Sequence, residues 1–123
     1  PRWLTRVNLL DVTLQAGAQV DLQTPAGHNV FFVVRSGTFL EPNGPATGEY
    51  AAPKAIIFEA VNQPGLARIR AGSQSLRGVF FSGQPLNEPV VQGGPFTGNS
   101  EQDISAYKRA FARGEMGQLA RSF

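Results

Sequence analysis

The chain has 123 residues, 14 of them glycine, 9 proline and none cysteine, a length that suits one domain around one core and does not accommodate two. Without cysteine there is no disulfide scaffold, no thiolate metal site and no cysteine nucleophile, and with neither an apolar run of about 18 residues nor a signal-peptide start after Pro1 the expected location is cytoplasmic. The formal charge of +2 divides into four Lys/Arg against five Asp/Glu over residues 1–60 and seven against four over 61–123, with the bases scattered rather than clustered, which argues against a nucleic-acid partner.

So much glycine and proline makes turns frequent and long helices few, which points to an all-β plan. From Leu10 the run through Leu14 alternates, with Leu10, Val12 and Leu14 on one face and Asp11, Thr13 and Gln15 on the other, as in a half-buried strand. Val20 and Leu22 resume the alternation after a turn at Ala16-Gly17-Ala18. Asn29 to Val34 is apolar on both faces and rich in β-branched and aromatic residues, which predicts a central strand covered on both sides. Glu41-Pro42-Asn43-Gly44-Pro45 reads as a hairpin tip. Further short strands are expected at 55–59, 66–70 and 76–81, and many short strands at close spacing mean a sandwich or barrel.

Three prolines and three glycines between Ser82 and Phe96 predict an irregular segment through Asn99. A single helix over about 100–113 follows, capped by Asn99 or Ser100, with Glu101 and Asp103 at its positive end. Ile104, Tyr107 and Phe111 share one face of it, Lys108, Arg109 and Arg113 stay in solvent, and Gly114 stops it. The tail from Gln118 to Phe123 has no assignment.

Oxygen-activating metal sites need several imidazoles and carboxylates around one ion. This chain has one histidine, His28, and Glu41, Glu49, Glu59 and Glu88 are separated by turns. No metal and no cofactor is expected. Nor is a Ser-His-Asp triad, because no Gly-x-Ser-x-Gly elbow is present. His28, after a Pro-x-Gly turn, reads as a residue that bonds turn backbone and fixes the start of the buried strand; its functional alternative is a polar ligand anchor. Glu88, set between Asn87 and Pro89, reads as an internal partner of its loop, the alternatives being an anchor or a general base without an identifiable partner. Gly93-Gly94-Pro95 lacks the Lys-Ser/Thr of a phosphate cradle.

The run Phe81-Ser82-Gly83-Gln84-Pro85-Leu86-Asn87-Glu88-Pro89-Val90-Val91, followed by Gly94-Pro95-Phe96 and Asn99, resembles the signature segment of the pirin family. Leu10 to Gly17 and Gly27-His28-Asn29-Val30-Phe31 leading to Gly37 agree in order and spacing, so the resemblance covers about residues 7–117. It implies a cupin-type jelly-roll barrel or sandwich with one C-terminal helix, like the second half of a two-cupin pirin. The family's iron site and flavonol-oxidising activity belong to the first half. Where metal-binding cupins carry a His-x-His pair and a glutamate, this chain has Thr24, Pro25, Ala26 and Val30, so the ligands do not carry over and the resemblance implies a metal-free barrel.

The expectation is therefore a single domain over 1–123 acting as a non-catalytic interaction or scaffold module. It would be a homodimer or pair with a first cupin half, with no nucleic-acid or membrane partner. His28, Asn87, Glu88, Pro89, Gly94, Pro95 and Phe96 are the candidate ligand or interface residues, and the Gln84–Phe96 loop is the expected contact surface. The alternatives are a barrel that binds a small molecule in its mouth and the accessory half of a pirin-like flavonol dioxygenase whose iron lies in a missing first cupin.

Overall fold

The computed structural model describes residues 5–41 and 48–118, which fall into two compact units divided after Leu86. The hairpin tip expected at 41–45 and the tail after Gln118 lie outside the described residues, Glu41 and Gln118 excepted.

The first unit holds eight strands: β1 (Val7–Leu14), β2 (Gln19–Thr24), β3 (Asn29–Ser36), β4 (Thr38–Leu40), β5 (Glu49–Ala51), β6 (Lys54–Phe58), β7 (Gly65–Arg70) and β8 (Leu76–Gly83). Antiparallel pairing gives a four-stranded sheet in the order β1-β8-β3-β6, a β2-β7 pair and a β4-β5 pair. A bridge between Phe39 and Ala71 and a hydrogen bond from the Gly72 N–H to the Thr38 carbonyl (2.9 Å) tie the last two pairs together. Neighbouring strands in the large sheet are far apart in sequence, the mark of Greek-key and jelly-roll connections. The first unit forms the expected all-β sandwich, and among the described residues its sheets do not close into a barrel.

One core joins the layers. Val12, Val30, Phe32, Val34 and Phe80 of the large sheet pack with Ala67 and Ile69 of β7, Phe39 of β4, and Ala71 and Leu76. The Phe32 and Phe39 rings lie 6.2 Å apart, and glycine at 78 leaves room for Phe32, since a side chain there would collide with its ring. The bend out of β3 needs Gly37, at φ +77°, where a Cβ would strike the Ser75 carbonyl.

Two readings of these strands change. Of the row Leu10, Val12 and Leu14, Val12 is buried and Leu14 packs on the core, while Leu10 is exposed, because β1 is the outermost strand of its sheet. Strand β3 is central but not covered on both sides: Val30, Phe32 and Val34 are buried, and Phe31 on the other face is 36% exposed. A run apolar on both faces loses the alternation that tells core from surface.

At the far end of β7, Glu49 accepts hydrogen bonds of 2.6 Å from both the N–H and the hydroxyl of Ser73. The Ser73 hydroxyl, then that of Thr38, then the Ser73 N–H hold the Glu49 carboxyl below its ordinary value. A carboxylate lowered in the folded state contributes stability that is complete above its unfolded pKa and is lost as pH falls through the folded one. The melting temperature is expected to fall as pH is taken from 6 to 3, and the fall to be smaller in Glu49→Gln, which thermal scans at the two pH values will check.

The second unit holds β9 (Val91–Gly93), β10 (Phe96–Gly98) and α1 (Glu101–Ala112). The irregular segment predicted from Ser82 to Asn99 is thus corrected: β8 runs on to Gly83, and Gly94 and Pro95 form the turn of a hairpin in which Phe96 pairs Gly93 and Gly98 pairs Val91. Gly94 takes φ +67°, so the residues that look like breakers are the turn. The helix is capped as expected at Ser100, whose hydroxyl accepts from the Asp103 N–H at 3.1 Å, and Gly114 follows it at φ +73°. No helix among the described residues is long and apolar enough to cross a membrane.

Candidate functional site

Three regions hold the residues that could act. The first surrounds His28. The Pro25-Ala26-Gly27 turn closes with the His28 N–H on the Pro25 carbonyl at 3.3 Å, which delivers a buried imidazole to the start of β3. Its Nδ1 lies 3.4 Å from the Ser82 hydroxyl, and that hydroxyl accepts from Asn8 Nδ2 at 3.0 Å. The side-chain partner of His28 is thus a serine on β8 rather than the turn backbone, because register places Asn29 opposite Gly83 and Val30 opposite Ser82. A cleft of about 640 Å³, lined by Thr5, Arg6, Val7, Asn8, Pro25, His28 and Gln84, adjoins it.

Ser82 is wholly buried, and among the described residues no carboxylate is bonded to the imidazole to orient it as a base. Among the described residues no three His, Asp or Glu side chains converge as metal ligands. The iron site of metal-binding cupins needs more imidazoles than one, so these residues do not fit it.

The second region is the Asn87–Asn99 run of the second unit, where Asn87, Glu88, Pro89, Gly94, Pro95 and Phe96 all lie. Asn87 takes a left-handed φ of +54°, a conformation asparagine tolerates. Glu88 accepts a hydrogen bond from the Asn99 side chain. Asn99 and Ser100 in turn donate to Asp103 Oδ2, at 3.1 and 2.8 Å. Phe96 lies edge-on to Phe111 at 5.9 Å and tilted to Tyr107 at 6.5 Å, and a side chain at Gly93 would collide with Ile104. Glu88 and Asn99 are thus bonded within the unit, tying the start of the run to the helix start. A Glu88→Ala variant is expected to lower the stability of the second unit by about 1 kcal/mol in urea unfolding; no loss would remove that structural role.

The third region went unread in the sequence. The outward face of the large sheet carries, in one cross-strand row, Leu9, Phe81, Phe31 and Ile57. Leu9 is 67% and Ile57 82% exposed, and the Phe31 and Phe81 rings stack at 4.7 Å. The next row is Asp11, Val79, Val33 and Ala55. At its end Arg77 bonds Asp11 at 2.9 Å, and this bond holds the Asp11 carboxyl below its ordinary value. A sheet face with one wholly apolar row, a second apolar except for Asp11, and an ion pair at its rim has the anatomy of a contact surface. The signal was the Phe31-Phe32-Val33-Val34 run, which put apolar residues on the outer face as well.

The Pirin C-terminal cupin domain family matches residues 9–117 of this chain. The chain is 31% identical over 118 residues to pirin-like protein 2 of Arabidopsis thaliana, covering 92% of itself and 36% of that protein. It is 31% identical over 108 residues to a pirin-like protein of Solanum lycopersicum, covering 88% and 36%. The crystal structure of a quercetin 2,3-dioxygenase from Acinetobacter baumannii superposes with a TM-score of 0.78 at 25% identity, over 98% of this chain and 40% of that one. The chain thus spans little more than a third of the length of the curated relatives it matches.

Proposed function

We propose that this chain, which belongs to the pirin family and is its C-terminal cupin domain, works by association rather than by chemistry of its own. The outer face of its large sheet would pack against a second cupin-type sheet, and in isolation against a second copy. The observation that carries this reading is the apolar row Leu9, Phe81, Phe31 and Ile57, exposed most at its two ends. Aligned sheets bury such faces at about 10 Å spacing, and a face left in water is an association site. The lone imidazole of His28, beside a buried serine, supports the absence of a catalytic role.

The Acinetobacter neighbour favours a second, compatible reading. In a longer pirin-type protein that oxidises flavonols, this domain would be the accessory half that braces the iron-bearing one. The cytoplasm is the proposed location, on the cysteine-free sequence.

Light scattering tests the reading. The chain alone should show a mass that rises above its 13.2 kDa as concentration is raised through the micromolar range. A mass fixed at 13.2 kDa throughout would contradict it.

A further inference from the structure

We propose that the groove along the free edge of β6 binds an apolar, ring-bearing monocarboxylate, with Lys54 as the contact for its charge. The groove encloses about 690 Å³ and is lined by β4, β5, β6 and β7, all within the first unit. That volume suits a two-ring molecule. Its walls are the rings of Phe39, Tyr50 and Phe58 with Ile56 between them, and these side chains also pack on the core, so the surface is held in place before a ligand arrives. Aromatic walls favour a ligand ring, which can stack or meet them edge-on.

The charges select the ligand's polar group. Arg68 is held by Asp21 through two hydrogen bonds of 2.9 Å, so its charge is already met. Glu41 accepts from the Tyr50 hydroxyl at 3.3 Å. Lys54 differs: its ammonium sits 5.5 Å from the centre of the Tyr50 ring, and no described carboxylate lies within ion-pair distance of it. A cation against an aromatic wall without a counter-ion attracts an anion whose apolar body can lie along that wall. The Glu41 carboxylate opposes a second negative charge, which limits the ligand to a monoanion. Lys54, Ile56 and Phe58 alternate along β6 with Ala55 and Ile57, and of the exposed row on the outer sheet face Ile57 reaches the rim of this groove.

The probe is 2-naphthoate, titrated into the full ¹⁵N-labelled chain and followed by amide NMR. Saturable shifts are expected at Tyr50 and along Lys54–Phe58, with a dissociation constant at or below about 1 mM. The uncharged isostere 2-naphthamide should bind at least about fivefold more weakly, and Lys54→Met, a change at an exposed side chain, should abolish that difference. Absence of saturable shifts, equal binding of acid and amide, or an unchanged preference in Lys54→Met would each overturn the assignment. It would also fall if the Tyr50 amide shifted with protein concentration alone, for then the groove is filled by a second copy; concentration-dependent shifts at Ala55 and Ile57 report association through the outer sheet face instead.

Discussion

Phe32→Ala is expected to lower the stability of the first unit by about 3–5 kcal/mol, the range for removing a fully buried phenylalanine. Phe32 has no exposed surface and stands among core residues from both layers. Its ring meets Phe39 on one side and occupies the space that glycine at 78 leaves open on the other. Truncation removes the burial of a large apolar side chain and leaves a cavity that two packed sheets can only partly close. Domains have about 5–15 kcal/mol in total, so the variant's urea midpoint should fall well below that of the wild type. A loss below about 1 kcal/mol would mean that the layers do not close over this ring. Phe31→Ala, one residue away on the outer face, should cost far less, because the water it already meets fills the space.

The contrast between these two neighbours shows what could be read from the sequence. Alternation identified the inward set where the outward residues are polar, as at Val12 between Asp11 and Thr13. It failed at Phe31-Phe32-Val33-Val34, where both faces are apolar and only the packing decides which is covered. Likewise β4 and β5, three residues each, are too short for a period to emerge, and β9 and β10 were hidden because their turn is built from Gly94 and Pro95. The ends of the helix were legible, since the Ser100 cap, the acidic first turn and the glycine stop are local chemistry, while of the apolar face Ile104, Tyr107 and Phe111 only Ile104 is buried.

The candidate residues separate in the same way. His28 and Glu88 stood out as types of side chain, and their partners Ser82 and Asn99 are 54 and 11 residues away. A partner reached through strand register has no signature in a single sequence. Lys54 and Tyr50 drew no attention because a lone lysine and a lone tyrosine are ordinary; only the fold lays one over the other. The row on the outer face is a register effect too, assembled from four strands that span residues 7 to 83.

The second large effect is on association. Each copy brings four large side chains to the outer face. Leu9 and Ile57 are 67% and 82% exposed, whereas Phe31 is 36% exposed and Phe81 half-buried, so the first two contribute most of the apolar area that association removes from water. Leu9→Lys with Ile57→Lys puts two ammonium groups into that face on strands at its opposite edges. Burying them unpaired costs several kcal/mol, enough to weaken association more than about a hundredfold. Both positions are open to water, so the folded monomer should tolerate the change.

The most direct measurement is therefore the mass of the wild-type chain and of this double variant by light scattering over the same concentrations, with their melting temperatures compared under dilute conditions. The wild type is expected to associate and the variant to stay at 13.2 kDa with its fold intact. A variant that associates as the wild type does, or a wild type that remains monomeric at every concentration, would contradict this expectation.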